Sequence, residues 1–263
     1  MSDWLHTLPV VWMALVASGG TYLAAAAIYA IVMALATGER ATAFKAVSPG
    51  MLPPLGILFG LFVAFTAAQV WTDTDRATTA VTREASTLST VLFLAESFPG
   101  APDARMRTLI HGYIEEAITR EWPRMAQQAA SQRITPRPLA EALKLVLSLT
   151  PDGQGQATAQ REIVTALENA LDARRQRIIV SRSAVNLLKW SCLFVQAIAM
   201  LVAIAMVHSD NRRTAAIAMG LFATGVAVSV VIVLAHDRPF TGEISVRSDP
   251  LLQVMPEIEA GPQ

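Results

Sequence analysis

The stretch MLPPLGILFGLFVAFTAAQV, residues 51–70, holds no ionisable side chain and no proline after Pro54. Twenty residues of α-helix span about 30 Å, the thickness of a bilayer's hydrocarbon core. Nothing in that core can bond an exposed peptide group, so a stretch of this kind crosses it as helix. Three further segments have the same character: Leu8–Ala36, Leu187–Val207 and Thr214–Ala235. Only one charge falls in these four spans, Lys189, close enough to an end for its amine to reach the headgroups. Trp12, Trp71 and Trp190 fall near span ends, where an amphipathic ring favours the interface.

The whole-chain composition agrees. Of 263 residues, 53% are hydrophobic and 16% charged, against about 25% charged in soluble domains. Lys plus Arg equals Asp plus Glu, so net charge gives no argument for nucleic acid or an acidic substrate. The single cysteine, Cys192, lies in an apolar stretch and is expected to pack there. The run from Leu8 is far longer than a signal peptide's apolar core of about 7–15 residues, and is expected to be a retained span.

Working outward from residue 51, Ser48-Pro49-Gly50 makes a turn-rich approach, and Pro54 suits a first helical turn whose N–H would be unpaired anyway. The next proline is Pro99, so the second helix is expected to leave the membrane through Trp71 and continue. Residues 72–185 then form an insert with nearly balanced charge. Met106, Ile110, Tyr113 and Ala117, with Ile114 and Ile118, recur at three and four, as do Ile163, Leu167 and Leu171 beside Ala166 and Ala170. That is the period of an amphipathic helix. Breaks are expected at Phe98–Pro102, Thr135–Pro138 and Thr150–Gly155. The fold class is therefore all-α: two spans over 1–71, a helical insert over 72–185, two spans over 186–235 and a tail over 236–263.

Four spans put both termini and the insert on one side. Arg76, Arg83, Arg174, Arg175, Arg177, Arg182, Lys189 and Arg238 lie near span ends there, against Arg40, Lys45, Arg212 and Arg213 opposite. The excess predicts an inner-membrane protein with a cytoplasmic insert, tail and termini. The cluster at Arg174–Arg177 is expected to be an ordinary juxtamembrane feature able to attract anionic lipid.

Within the second span, Gly56, Gly60 and Ala64 form a stripe of small residues that lets helix backbones approach closely in lipid. About 100° further round lie Ile57, Leu61 and Phe65. In an oligomer this bulky stripe could face a central axis, where apolar rings gate by excluding water. The commoner situation for such a stripe is to face lipid or another helix. Past Trp71, Asp73, Asp75, Arg76, Arg83 and Glu84 continue on helical spacing. They either line a vestibule for ions, with Asp73, Arg76 and Glu84 the candidates, or form a solvated face, which is the commoner outcome. Glu84 stands out because it falls between Val81 and Leu88. His111 and Glu115 stand four apart, but two ligands without a third make no metal site. No phosphate loop, nucleophile elbow or metalloprotease motif occurs, so neither an enzyme nor a cofactor or metal is expected.

After the fourth span, His236-Asp237-Arg238-Pro239-Phe240-Thr241-Gly242 should break the helix and turn the tail back. Ser248-Asp249-Pro250-Leu251 should cap a short final helix, docked on the insert, with a docking site across a subunit boundary also open. Together with the Pro53-Pro54…Gly56…Gly60 span and the Trp71…Arg83-Glu84-Ala85 continuation, this exit resembles the bestrophin-like family over roughly residues 45–255. That family is similar to the bestrophin channels, which have four spans, a helical cytoplasmic insert after the second, and five subunits around their second spans. Pro54, Ile57, Gly60 and Leu61 are similar to the Pro, first Phe, Gly and second Phe of the bestrophin neck pattern Ile-Pro-x-x-Phe-x-x-Gly-Phe-Tyr-Val. The resemblance implies a homo-oligomer, a pentamer by analogy, whose partners are itself, membrane lipids and permeating ions, with Ile57 and Leu61 as gate rings. The chain departs in having aliphatic neck residues, Phe62 in place of Tyr, and no acidic cluster like the calcium-binding one of animal bestrophins, so calcium gating is not implied. The rival reading is a non-conducting scaffold or sensor whose insert binds a partner.

Overall fold

A computed structural model of the chain describes residues 3–38, 43–44, 49–132 and 135–255. Arg40 and Lys45, counted above on the far side of the membrane, lie outside the described residues, as does Ser48 in the approach to the second span. Every regular element among the described residues is helical. The long ones are α1 (Val10–Leu35), α2 (Leu52–Ala95), α3 (Ala101–Glu116), α5 (Arg137–Ser148), α6 (Gln154–Val180), α7 (Leu187–Val207) and α8 (Arg212–His236); α4 (Trp122–Ala126) and α9 (Asp249–Leu252) are short. Four helices are long and apolar enough to cross a membrane, α1, α2, α7 and α8, and the protein is a membrane protein with four candidate spans. They are the four segments expected from the sequence, with ends that differ by at most two residues, except that the second helix continues past Val70 to Ala95. Asn186 caps α7 by accepting from the Lys189 amide at 2.9 Å. Asn211 caps α8 by accepting from the amides of Arg213 and Thr214 at 3.1 and 3.2 Å. A side-chain oxygen there satisfies donors that the first helical turn leaves open.

The chain forms two compact units: Met1–Thr72 with Ala184–Asp237 and Gly242–Ile244, and Asp73–Ser183 with Arg238–Thr241 and Ser245–Gln263. In the first, Phe59, Val70, Trp190, Leu193, Val226 and Val233 share a buried cluster with Met13. Its polar tie is Asp237. One carboxylate oxygen accepts from the Val185 amide at 2.6 Å, and the other lies 3.5 Å from His6 Nε2; His6 and Asp237 are both buried. The start of α1 is held beside it, since Val10 N donates to Glu243 Oε2 at 3.1 Å. Gly242 fits this corner for a steric reason. Its φ is +90°, and a Cβ there would stand 3.0 Å from the His6 carbonyl oxygen. His6, one of four scattered histidines in the sequence, thus has a defined partner.

In the second unit, the α2 continuation contributes Leu88, Val91 and Leu92 to a core completed by Ile110, Tyr113 and Ile114 of α3, Leu139, Ala142 and Val146 of α5, and Ile163, Leu167 and Ala170 of α6. Of these, Ile110, Tyr113, Ile114, Ile163, Leu167 and Ala170 are residues whose spacing predicts helices. Gln160 closes the end of α5 by donating to the carbonyls of Val146 and Leu149 at 2.7 and 3.0 Å. The expected breaks separate helices, each running into the first two residues of the helix that follows. One departure lies inside a helix: residues 117–121 form a turn of π-helix before Trp122. Pro123 explains it, because its ring cannot fit against the carbonyl four residues back and the backbone widens to admit it.

The tail does turn back, and it docks on the insert of its own chain. Phe240 meets Trp122 edge to face at 5.6 Å, Thr241 donates to the Ala126 carbonyl at 2.7 Å, and Leu251 is fully buried in the insert core. Ser248 makes no side-chain cap; its backbone carbonyl receives the Leu251 and Leu252 amides instead. Truncating a fully buried leucine removes transfer energy and leaves a cavity, about 2–5 kcal/mol. Leu251→Ala is therefore expected to lower the thermal midpoint in detergent by roughly 5–15 °C. A midpoint unchanged from wild type would show that the tail adds nothing to the insert core.

Candidate functional site

The pore candidates stand on α2, which runs unbroken from the approach at Leu52 to Ala95. One face of its apolar half is used inside the chain: Phe59, Thr66, Ala67 and Val70 are buried. Phe59 meets Phe222 of α8 at 5.4 Å between ring centres. The other face is open. Ile57, Leu61 and Phe65 are 69%, 50% and 68% exposed, and Trp71 is exposed beyond them. The small stripe divides between the two faces. A Cβ on Gly56 would stand 3.6 Å from Met200 of α7, whereas the space over Gly60 is empty and Ala64 is exposed. Beside the bulky stripe lies a groove of about 330 Å³ walled by Leu58 and Phe62 of α2 and by Val195 and Ala199 of α7.

Past Trp71 the expected vestibule residues part company. Asp73 and Arg76 pair with each other at 3.6 Å, with Arg76 largely in solvent, a contact worth little. Glu84 is different. The commoner outcome for its spacing, a solvated face, does not occur: it is fully buried and forms the centre of a charge network inside the insert. Arg177 reaches it with two donors, Nε to Oε2 at 2.7 Å and Nη2 to Oε1 at 3.1 Å, and the Tyr113 hydroxyl donates to Oε1. Arg177 Nη2 also donates to Glu121 at 3.0 Å, and Arg174 Nε donates to the same glutamate at 2.9 Å. The Arg177 guanidinium lies 4.9 Å from the centre of the Trp122 ring. Each buried charge therefore has an opposite neighbour and hydrogen bonds, without which burial would be prohibitive.

The electrostatics follow from that enclosure. Burial opposes the Arg177 cation, but Glu84, Tyr113 and Glu121 around it together more than offset this, and the pKa rises above its usual value. Burial first, and the Glu84 carboxylate second, push the Tyr113 phenol well above its ordinary pKa of 10.0. The sequence signalled only half of this network. Glu84 was marked by its apolar neighbours Val81 and Leu88, both fully buried. Arg174 and Arg177 were read as lipid-facing juxtamembrane charge, and the structure corrects that. They continue the buried stripe Ile163, Leu167, Ala170 at steps of four and three, and that register was the available clue. Arg175, off the register, is exposed. Glu121 had no signal beyond Pro123, whose π-turn carries it. Among the described residues no group of three His, Cys, Asp or Glu could hold a metal ion, so His111 and Glu115 gain no third ligand.

Four apolar helices of bilayer length, a helical insert between the second and third, and an uncharged face left open on the second define a class of multi-span membrane protein. Within it, a family model for the bestrophin-like domain matches residues 19–251, and the chain belongs to the bestrophin-like family. No curated protein and no solved structure matches it.

Removing one partner of a buried ion pair strands the other and costs about 3–5 kcal/mol. Glu84→Gln is expected to destabilise the protein by that order, measured by unfolding in detergent, and adding Arg177→Met to it should restore a large part. A double variant no better than the single would show that stranded charge is not the cause. Tyr113 makes a second, pH-dependent forecast. Its folded pKa is raised, so its contribution is complete below about pH 10 and is lost as pH climbs beyond. Tyr113→Phe should lose stability less steeply than wild type above pH 10; parallel alkaline limbs would refute this.

Proposed function

We propose that the protein is a homo-oligomeric ion channel of the inner membrane, with the second spans of its copies around a common axis. Ile57, Leu61 and Phe65 form the hydrophobic constriction, and Gly60 and Ala64 allow neighbouring copies to approach. Asp73 and Arg76 sit where the same helix continues into water. A pentamer is the assembly that membership of the bestrophin-like family supports. The observation that carries the proposal is the open stripe on α2: three bulky apolar residues on one face, at 50–69% exposure, on a helix whose opposite face is buried. A narrow ring of such side chains dewets and blocks ions, while smaller side chains at the same positions admit water. The excess of Lys and Arg near span ends on the insert side supports a cytoplasmic insert. The insert's charge network acts as a brace: Glu84 of the pore helix is locked to Arg177 of α6, which fixes the helix's rotation within the insert.

The test is ion flux from liposomes. Replacing both Ile57 and Leu61 by Ala is expected to raise flux at least several-fold over wild type under chloride or potassium gradients, because the shortened rings stay wet. Flux unchanged by either substitution would remove the constriction from these positions.

A further inference from the structure

The insert holds a pocket of about 340 Å³ whose charged lining is four arginines, Arg120, Arg124, Arg137 and Arg174, and two glutamates, Glu116 and Glu121. Small-molecule sites run from about 300 to 1,000 Å³. Both carboxylates are already engaged: Glu121 accepts from Arg174 and Arg177, and Glu116 lies 3.8 Å from Arg120. The cations are less completely matched. Arg137 donates to Glu141 at 2.8 Å, but that carboxylate also has Arg105 at 3.6 Å. Arg174 is buried; its Nε and Nη2 donate to Glu121, and its Nη1 makes no hydrogen bond among the described residues. Arg124 is exposed and makes neither a hydrogen bond nor an ion pair among the described residues.

The four arginines come from four elements: the π-turn, α4, the start of α5, and α6. Each guanidinium presents a planar fork that pairs with oxygens of an acid group. A carboxylate has two oxygens in one plane, whereas a phosphate monoester has three about a tetrahedral centre and can meet forks from several directions. Its charge of about −1.5 to −2 at neutral pH is close to the excess of two positive charges in the lining. The start of α5 adds partial charge of the same sign. Pro136 and Arg137 line the pocket, and no side chain caps that first turn, so the positive end of the helix dipole is left for a ligand. Ala130, Pro136 and Ile178 supply an apolar wall for the organic part of an ester.

We propose that this pocket is a binding site for a phosphate monoester, with Arg174 and the exposed Arg120, Arg124 and Arg137 as its donors. The site is independent of the channel reading, since an insert that binds such a ligand does so whether or not the spans conduct.

The experiment measures the thermal midpoint of the full chain in phosphatidylcholine vesicles at neutral pH, with ionic strength held constant by potassium chloride. In one arm glycerol 3-phosphate is added; in the other, phosphatidic acid, which carries the same monoester on a lipid, replaces part of the phosphatidylcholine. A ligand that binds only the folded state raises the midpoint by roughly 3–6 °C at ten times its dissociation constant. Arg124 is exposed and unpaired, so Arg124→Gln leaves the fold intact. It should multiply the ligand concentration needed for a given shift by about fivefold to tenfold. Arg124→Lys should cost less, because it keeps the charge and loses only the fork. Arg175→Gln, at an exposed arginine outside the pocket, should leave the shift unchanged. An Arg124-dependent shift with glycerol 3-phosphate assigns a soluble ester, and one confined to phosphatidic acid assigns a lipid headgroup; both uphold the phosphate site. No shift in either arm, a shift that Arg124→Gln leaves unchanged, or one that Arg175→Gln reduces as much, overturns it.

Discussion

The peptide group's need for a hydrogen bond where there is no water governs this molecule. Four stretches of about twenty residues without internal charge have one low-energy form in hydrocarbon, a helix that satisfies itself. That constraint fixes the number of spans. With the proline spacing, it also fixes the feature on which the functional reading turns, a second helix that does not stop at the membrane boundary. α2 carries apolar residues through its first half and enters the insert without a break. Within the insert, the buried Glu84–Arg177 pair anchors α2 to α6.

The anchor explains why charge is buried in a region with an adequate apolar core. An ion pair excluded from water contributes little net stability compared with apolar side chains of the same shape. It does impose geometry. Arg177 presents a planar fork to Glu84 and a third contact to Glu121, and it lies against the Trp122 ring. Trp122 in turn meets Phe240 of the returning tail, so the segment that leaves the last span and the helix that leaves the second are joined through one guanidinium.

How much of this was legible in the sequence follows from what kind of signal each part leaves. The spans were legible because their signal is long and one-sided: no charge for twenty residues. The insert helices were legible from the recurrence of Met106, Ile110 and Tyr113, and of Ile163 and Leu167. Buried charge defeats that approach, since Arg174 and Arg177 in a cluster with Arg175 look like surface, and only their register with Ala170 and Leu167 says otherwise. The π-turn at 117–121 was hidden because Pro123 reads equally as a helix end. The tie between His6 and Asp237 joins residues 231 positions apart, and no local pattern encodes it.

The central claim, that copies of this chain enclose a conducting axis along their second spans, is tested most directly by single-channel recording of the purified wild-type protein in a planar bilayer. The account predicts discrete unitary current steps of uniform size. A bilayer that stays electrically silent with the folded protein demonstrably inserted would contradict it.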